Sequence, residues 1–451
     1  VFDTKASVER LRAIGLTSSQ AHQLVSLVQK WAQASGEQWA VDRVKSIKDD
    51  LLRHLSGLAP QKAHSWIHYG KKGPKGPFGI LWDLSKRDAR KAWNAVMVYT
   101  GFVYSHPDLL VTTKQWKKAV AAIKREPLQP SALVEGISMV HKSPFFVPVR
   151  VLGETGNPLV DYQPSPSRRA PKDFRTVPDV EGVIDSLRPL IRRTVWTTQN
   201  WDILSGTVRG LENSIVPDLE LNLEFEEKAG GDLPNETPEM GLIALIQEAG
   251  YKLRFAANPY RVYQMALQPL GAALFSALRK VPNDFTFDQN GGVEFIQQCL
   301  ANGLPAVSMD LSNATDNAPL DCQLELLARL GVSTRWLQFF RDTCRGDWYT
   351  KVARSATIDL LRWTVGSPLG LYPTFASFAL WHHSVVQQCF AEEEYSLKVD
   401  AKLPYAIVGD DVWIGDWAVA QRYERWMLSL GVPISKEKTL WSENTASFVG
   451  R

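Results

Sequence analysis

Three aspartates carry the most chemical information in this chain. Asp410 and Asp411 follow Gly409 between two apolar runs, Tyr405-Ala406-Ile407-Val408 and Val412-Trp413-Ile414, the pattern of a buried hairpin with acids at its tip. Adjacent carboxylates at the end of buried strands repel one another and lose hydration, which is costly unless a cation neutralises them. Gly-Asp-Asp alone is also an ordinary polar turn. The upstream run Val307-Ser308-Met309-Asp310-Leu311 shifts the reading, because it delivers a third acid at the end of another strand. Three carboxylates from two neighbouring strands can hold two hard divalent ions about 3.5–4 Å apart, activating a hydroxyl and stabilising the leaving oxygen of an in-line displacement. That is the chemistry of nucleotide addition.

Cations suited to a triphosphate lie elsewhere. Lys252-Leu253-Arg254-Phe255-Ala256-Ala257 alternates as a half-buried strand would, placing Lys252 and Arg254 on one face, with Arg261 following. Arginine offers planar bidentate contacts to phosphate and lysine a point charge. Lys436 and Lys438 follow the apolar stretch Gly431–Ser435, read here as a short strand. Lys438 is the preferred donor of a proton to departing pyrophosphate, its pKa lowered by its surroundings. Asp316 falls beyond the Asp310 strand, where it reads a ribose hydroxyl or simply opens a helix, where acids are favoured. The Gly/Ser-rich stretch Val365–Ser377 lets backbone amides approach a sugar-phosphate closely, and it runs into a helix containing His382 and His383. Adjacent histidines point apart on a helix, so these two are expected to pack or cap rather than ligate metal. Arg168, Arg169, Lys172 and Arg175 put four cations within eight residues, a candidate guide for an RNA backbone.

The elements that must position these residues are read as follows. Residues 1 to about 125 are helical, with amphipathic patterns at Val8-Leu11-Ile14 and Leu51-Leu52-Leu55, one long helix from Ser85 to about Val103, and a basic Gly/Pro loop over Tyr69–Pro77. Pro144–Arg175 is extended, Asp218–Glu227 an acidic surface segment, and Val262–Arg279 and Ala418–Leu430 are helices.

Bulk properties set the frame. The chain has 451 residues, 45% hydrophobic and 22% charged, which excludes a disordered or fibrous protein. A net charge of +3 does not by itself announce a nucleic-acid binder, so local clusters must carry that reading. Four widely spaced cysteines, Cys299, Cys322, Cys344 and Cys389, argue against a zinc site or a disulfide framework and point to a reducing compartment. No apolar run reaches membrane-spanning length. The absence of an initiator Met suggests a processed or truncated product, and the end at Phe448-Val449-Gly450-Arg451 reads as though more chain follows.

The order of strand acid, Gly loop with helix, Gly-Asp-Asp hairpin and lysine resembles the palm of viral RNA-dependent RNA polymerases. Asp310-Leu311-Ser312-Asn313-Ala314-Thr315-Asp316 is similar to the first palm motif of the mitovirus and narnavirus group, and Gly366 to His383 resembles its Gly-x-Pro-Met-Gly loop and helix, with Leu369 in place of Met. Lys252-Leu253-Arg254, Thr286-Phe287-Asp288-Gln289 and Leu430–Lys438 add to the likeness, and Gly370 with Thr374-Phe375 also resembles RNA-phage replicases. The resemblance implies an α+β right-hand polymerase. Residues 1–129 are then a helical N-terminal extension, 130–305 fingers, 306–329 and 365–451 an antiparallel palm sheet backed by helices, and 330–364 a fingers return. The thumb is largely absent, left to a missing C-terminal segment or a second chain.

By the same resemblance Asp310, Asp410 and Asp411 bind two Mg²⁺ or Mn²⁺ ions, Asp410 more firmly than Asp411. Lys252, Arg254 and Arg261 would take the triphosphate, and Asp316, Ser367, Gly370 and Thr374 the ribose or nascent pair, with an RNA template, an RNA product and NTPs as partners. The genome replicated would be positive-strand RNA. Sixteen Trp suit a mitochondrial code, which places the protein in the mitochondrion if it is mitovirus-like and in the cytoplasm otherwise. A reverse transcriptase with the same palm chemistry and a catalytically silent RNA-binding homologue are the alternatives.

Overall fold

A computed structural model describes residues 2–59, 68–70, 73–103, 114–151, 203, 239–350, 359–395, 402–436 and 438–450. The N-terminal part is built of helices α1 (Thr4–Ile14), α2 (Ser18–Ser35) and α3 (Glu37–Leu55), a two-residue hairpin of β1 (Tyr69–Gly70) and β2 (Gly73–Pro74), then α4 (Gly79–Ser85), α5 (Ala89–Val96), α6 (Lys114–Ile123) and α7 (Pro130–Lys142). Capping fixes several of these starts. Asp3 accepts from Ala6 N, and Thr17 and Gln20 form a reciprocal capping box. The single helix expected from Ser85 to Val103 is instead broken. Ser85 ends α4, Asp88 restarts the chain as N-cap of α5 by accepting from Lys91 N, and a 3₁₀ turn over Met97–Gly101 follows.

Next come β3 (Glu239–Glu248), β4 (Lys252–Pro259), α8 (Arg261–Leu278), α9 (Gln289–Ala301), β5 (Ala306–Asp310), the single turn α10 (Ala314–Asn317), α11 (Leu320–Arg329) and α12 (Thr334–Arg345). The chain continues with β6 (Asp347–Thr350), β7 (Asp359–Leu361), α13 (Thr374–Glu392), β8 (Tyr405–Val408), β9 (Asp411–Ile414), α14 (Trp417–Ser429) and β10 (Leu440–Ser442). The fold is α+β. Among the described residues two four-stranded sheets carry it, one wholly antiparallel in the order β10-β5-β9-β8, the other in the order β4-β3-β6-β7 with β3 and β6 parallel.

The antiparallel sheet is covered on both faces, which is why its strands read as nearly unbroken apolar runs. Along β9, Val412 and Ile414 enter the main core with α13, while Trp413 between them enters a smaller core with Phe285, Ile296 and Phe448. Helix α13 is buried along most of its length and packs against α7, α8, α11, α14 and β8. The N-terminal helices have a separate core that reaches Tyr251, and the β3–β4 turn is tied to them by Gly250 N to Phe102 O at 2.8 Å and Lys45 Nζ to Gly250 O at 3.0 Å.

Residues 431–435 do not form the expected strand. Ile434 makes a lone antiparallel bridge to Leu311, and Pro433, which has no N–H to give a ladder, only accepts from Ser312 N. The true fourth strand is β10, which pairs with β5 from Leu440↔Ser308 to Ser442↔Ala306. The candidate RNA guide Arg168, Arg169, Lys172 and Arg175 and the acidic segment 218–227 lie outside the described residues.

Candidate active site

The β8–β9 hairpin turns on Gly409, whose φ of +59° favours glycine, and on Asp410. Asp411 already belongs to β9 and sits directly opposite both Val408 on β8 and Asp310 on β5. Asp410 is held beside them, its carbonyl accepting from Leu311 N at 3.4 Å. The three acids expected from sequence to meet are therefore brought together by strand register.

Like charges opposite each other in a ladder are unfavourable. Burial, then the charges of Asp410 and Asp310, push the Asp411 carboxyl up to about 7. Burial and Asp310 likewise raise Asp410. Lys438 offsets part of this by hydrogen-bonding Asp310 Oδ2. Its own pKa is raised, not lowered as expected: burial pulls it down, but the bond to Asp310 and the charges of all three aspartates outweigh that. Lys436 instead lines a cavity of about 660 Å³ with Lys118 and Arg125, which gives the two lysines separate surroundings.

Hard carboxylate oxygens in mutual repulsion are the donor set for Mg²⁺ or Mn²⁺, ions that also take oxygens from water and phosphate. Among the described residues no group of three His, Cys, Asp or Glu side chains is arranged to hold a metal ion, and Asp310 is hydrogen-bonded by Lys438. Any ion placed here would need oxygens from water or a bound ligand beside those of the acids.

Lys252 and Arg254 share the exposed face of β4, as the alternation predicts. Glu248 on β3 holds both, at 3.2 Å from Lys252 Nζ and by a close contact with Arg254 Nε. Both cations lie within electrostatic reach of the acids: burial raises Asp410 and Asp411, and Arg254 offsets a small part of the rise at Asp410 and Lys252 a small part at Asp411. Arg261 is the first residue of α8, and its side chain lies outside what is described.

The Gly/Ser-rich loop is sewn to this strand. Ala257 N donates to Leu369 O at 2.6 Å, and Gly370, at φ +130°, lies so close that a Cβ would come within 1.9 Å of Ala257 O. On its other side Ser367 N donates to Thr315 O at 2.8 Å, and a Cβ on Gly366 would strike the Thr315 and Asp316 carbonyls. Ser367 Oγ and Thr374 Oγ1 are buried with no hydrogen-bond partner among the described residues. A buried hydroxyl left so costs about 1–3 kcal/mol. Asp316 accepts from Trp363 Nε1 at 2.7 Å, and burial pushes its carboxyl up to about 6 against that bond.

Several positioning residues are not visible in the motifs. Arg345 donates to the carbonyls of Trp363, Val365 and Gly366 at 3.0–3.1 Å, clamping the loop. Arg125 joins Asn317 Oδ1 at 3.1 Å to Gly431 O at 2.5 Å. The two histidines are buried and pack as expected: His383 bridges Tyr405 and Asp284, and His382 contacts Gly409 O and Tyr423. All four cysteines are buried and free.

The model of the mitovirus RNA-dependent RNA polymerase family matches residues 190–451, more than half of the chain. The chain belongs to that family. An RNA-directed RNA polymerase of Cryphonectria parasitica mitovirus 1 (strain American chestnut tree/New Jersey/NB631) is 28% identical over 214 residues, covering 47% of this chain and 25% of that protein. Two uncharacterised mitochondrial proteins of Arabidopsis thaliana are 33% and 30% identical over 168 residues, with 66% and 77% of their own lengths matched. The matched region thus spans a quarter of the length of the viral relative.

Proposed function

We propose that this chain synthesises RNA on an RNA template from NTPs, as the palm and fingers of a right-hand polymerase replicating a positive-strand genome. The observation that carries the reading is the cross-strand pairing of Asp310 with Asp411, with Lys438 on Asp310. Asp310, Asp410 and Asp411 would hold two divalent ions, Mg²⁺ or Mn²⁺, which when bound supply activation of the attacking hydroxyl and neutralisation of the departing oxygen. Lys252 and Arg254, exposed on edge strand β4 of the second sheet, would exchange Glu248 for triphosphate oxygens. Ser367 and Thr374 would offer their hydroxyls, and Asp316 its carboxylate, to the ribose or nascent pair. Lys438, kept protonated by the aspartates, is suited to giving a proton to pyrophosphate. The mitoviral and mitochondrial relatives support a mitochondrial location.

Incorporation of radiolabelled rNTPs on a generic RNA template with Mg²⁺ tests this, repeated with Asp410→Ala. Template-dependent incorporation that the substitution abolishes is expected. Exclusive use of dNTPs would make the protein a reverse transcriptase, and RNA binding without incorporation would make it a silent homologue.

A further inference from the structure

Four aromatic rings run from the Gly-Asp-Asp turn to the surface. Phe375 lies against Gly409, close enough that a Cβ there would come within 3.0 Å of its ring. Phe375 stacks on Phe275 with centroids 6.0 Å apart, and Phe275 in turn meets Phe287 at 6.2 Å and Tyr372 at 5.8 Å. The inner rings are at least partly buried, whereas Phe287 is 41% exposed and Tyr372 39%. Leaving two large rings in water at the end of a packed column forgoes burial that aromatic side chains normally supply.

Both outer rings are fixed in place. Tyr372 rests on the backbone of Gly271, where a Cβ would come within 2.0 Å of its ring. Gln264 braces the same loop, accepting from Tyr372 N at 2.9 Å and donating to Gly370 O at 2.8 Å. Phe287 carries the Arg279 guanidinium 3.6 Å from its ring centre. An exposed ring with a planar cation over one face matches an unpaired nucleobase and its phosphate: every base has a π face to stack on the part of the ring left open, and arginine answers the backbone charge.

We infer that Phe287 and Tyr372, with Arg279, form a stacking surface for single-stranded RNA on its path to or from the acid cluster. The inference rests on the polymerase reading and adds to it a place where unpaired bases are held. The occupant is argued from the cation on the ring and from the unbroken column of rings leading to Gly409. A protein partner would need no such charge.

The test is fluorescence anisotropy of a labelled single-stranded RNA oligonucleotide at fixed salt, with Phe287→Leu, Tyr372→Leu, Phe287→Trp and the unsubstituted chain. Each leucine variant should weaken binding about tenfold, tryptophan should preserve it, and binding of a duplex of the same sequence should change less than twofold. Leucine variants that bind single strands like the unsubstituted chain overturn the stacking surface alone. Equal weakening for single strand and duplex, accompanied by a lowered melting temperature, also overturns it, as damage to the fold. Leucine variants that bind RNA normally but lose self-association would show an interface between copies instead. If the unsubstituted chain binds no RNA, it is the polymerase reading that fails.

Discussion

His382 Nδ1 lies 2.9 Å from the carbonyl oxygen of Gly409, so the residue just before the paired aspartates is tied to the middle of buried helix α13. A carbonyl can only accept, so Nδ1 carries the proton. Nε2, 2.7 Å from the Tyr423 hydroxyl, is then the acceptor. Burial, and to a lesser extent His383, push His382 down to about 3 despite the bond to Gly409, which keeps the ring neutral and the two roles distinct. With Leu311 N on the Asp410 carbonyl, the peptide groups on both sides of Asp410 are held.

Replacing His382 by Leu should therefore misplace Asp410 and cut incorporation about 10²-fold, the scale of a displacement near 1 Å at a reacting centre. Asparagine, which keeps an N–H donor near the Nδ1 position, should recover much of the loss. Rates compared with RNA affinity in the same variants check this. Equal loss in Leu and Asn variants would show that ring packing, not the bond to Gly409, is what matters.

Lys438→Ala should lower incorporation by about 10²-fold or more if the lysine supplies the proton, with Lys438→Arg retaining the charge on Asp310 but little of the rate. Single-turnover rates on a pre-bound template separate these outcomes. A rate restored fully by arginine would mean that charge alone is needed.

Asp316 gives a pH signature. Its folded-state value is about 6, against about 3.9 unfolded, so between those limits the folded chain keeps a proton that the unfolded chain has lost. The carboxyl's contribution is complete below the unfolded value and is lost as pH rises through 6, about 3 kcal/mol in all and about 2 kcal/mol between pH 4 and pH 7. Denaturant melts at pH 4 and pH 7 should show the wild type losing that much relative to Asp316→Asn. Parallel behaviour of the two proteins would refute the assignment.

Arg345→Met should destabilise the chain by about 3 kcal/mol, because three backbone carbonyls lose their donor together. The loop carrying Ser367 and Gly370 should loosen with it. Hydrogen exchange over residues 363–371, alongside the melting temperature, reads both effects.

Much of the candidate site follows from local pattern. Alternation along Lys252–Ala257 is enough to put both cations on one face, and the apolar runs around Gly409 are enough to make a hairpin, because strand period and turn chemistry act within a few residues. The α+β character and the helices at Thr374–Glu392 and Trp417–Ser429 were legible for the same reason. What only the tertiary structure decided are the pairings between distant segments. Asp411 rather than Asp410 faces Asp310, the fourth strand is Leu440–Ser442 rather than 431–435, and Trp363, Arg345 and His382 hold Asp316, the loop and the turn. Register is chosen by which faces of two strands can be buried together, and a buried tryptophan, arginine or histidine finds its partner only when remote backbone is brought beside it.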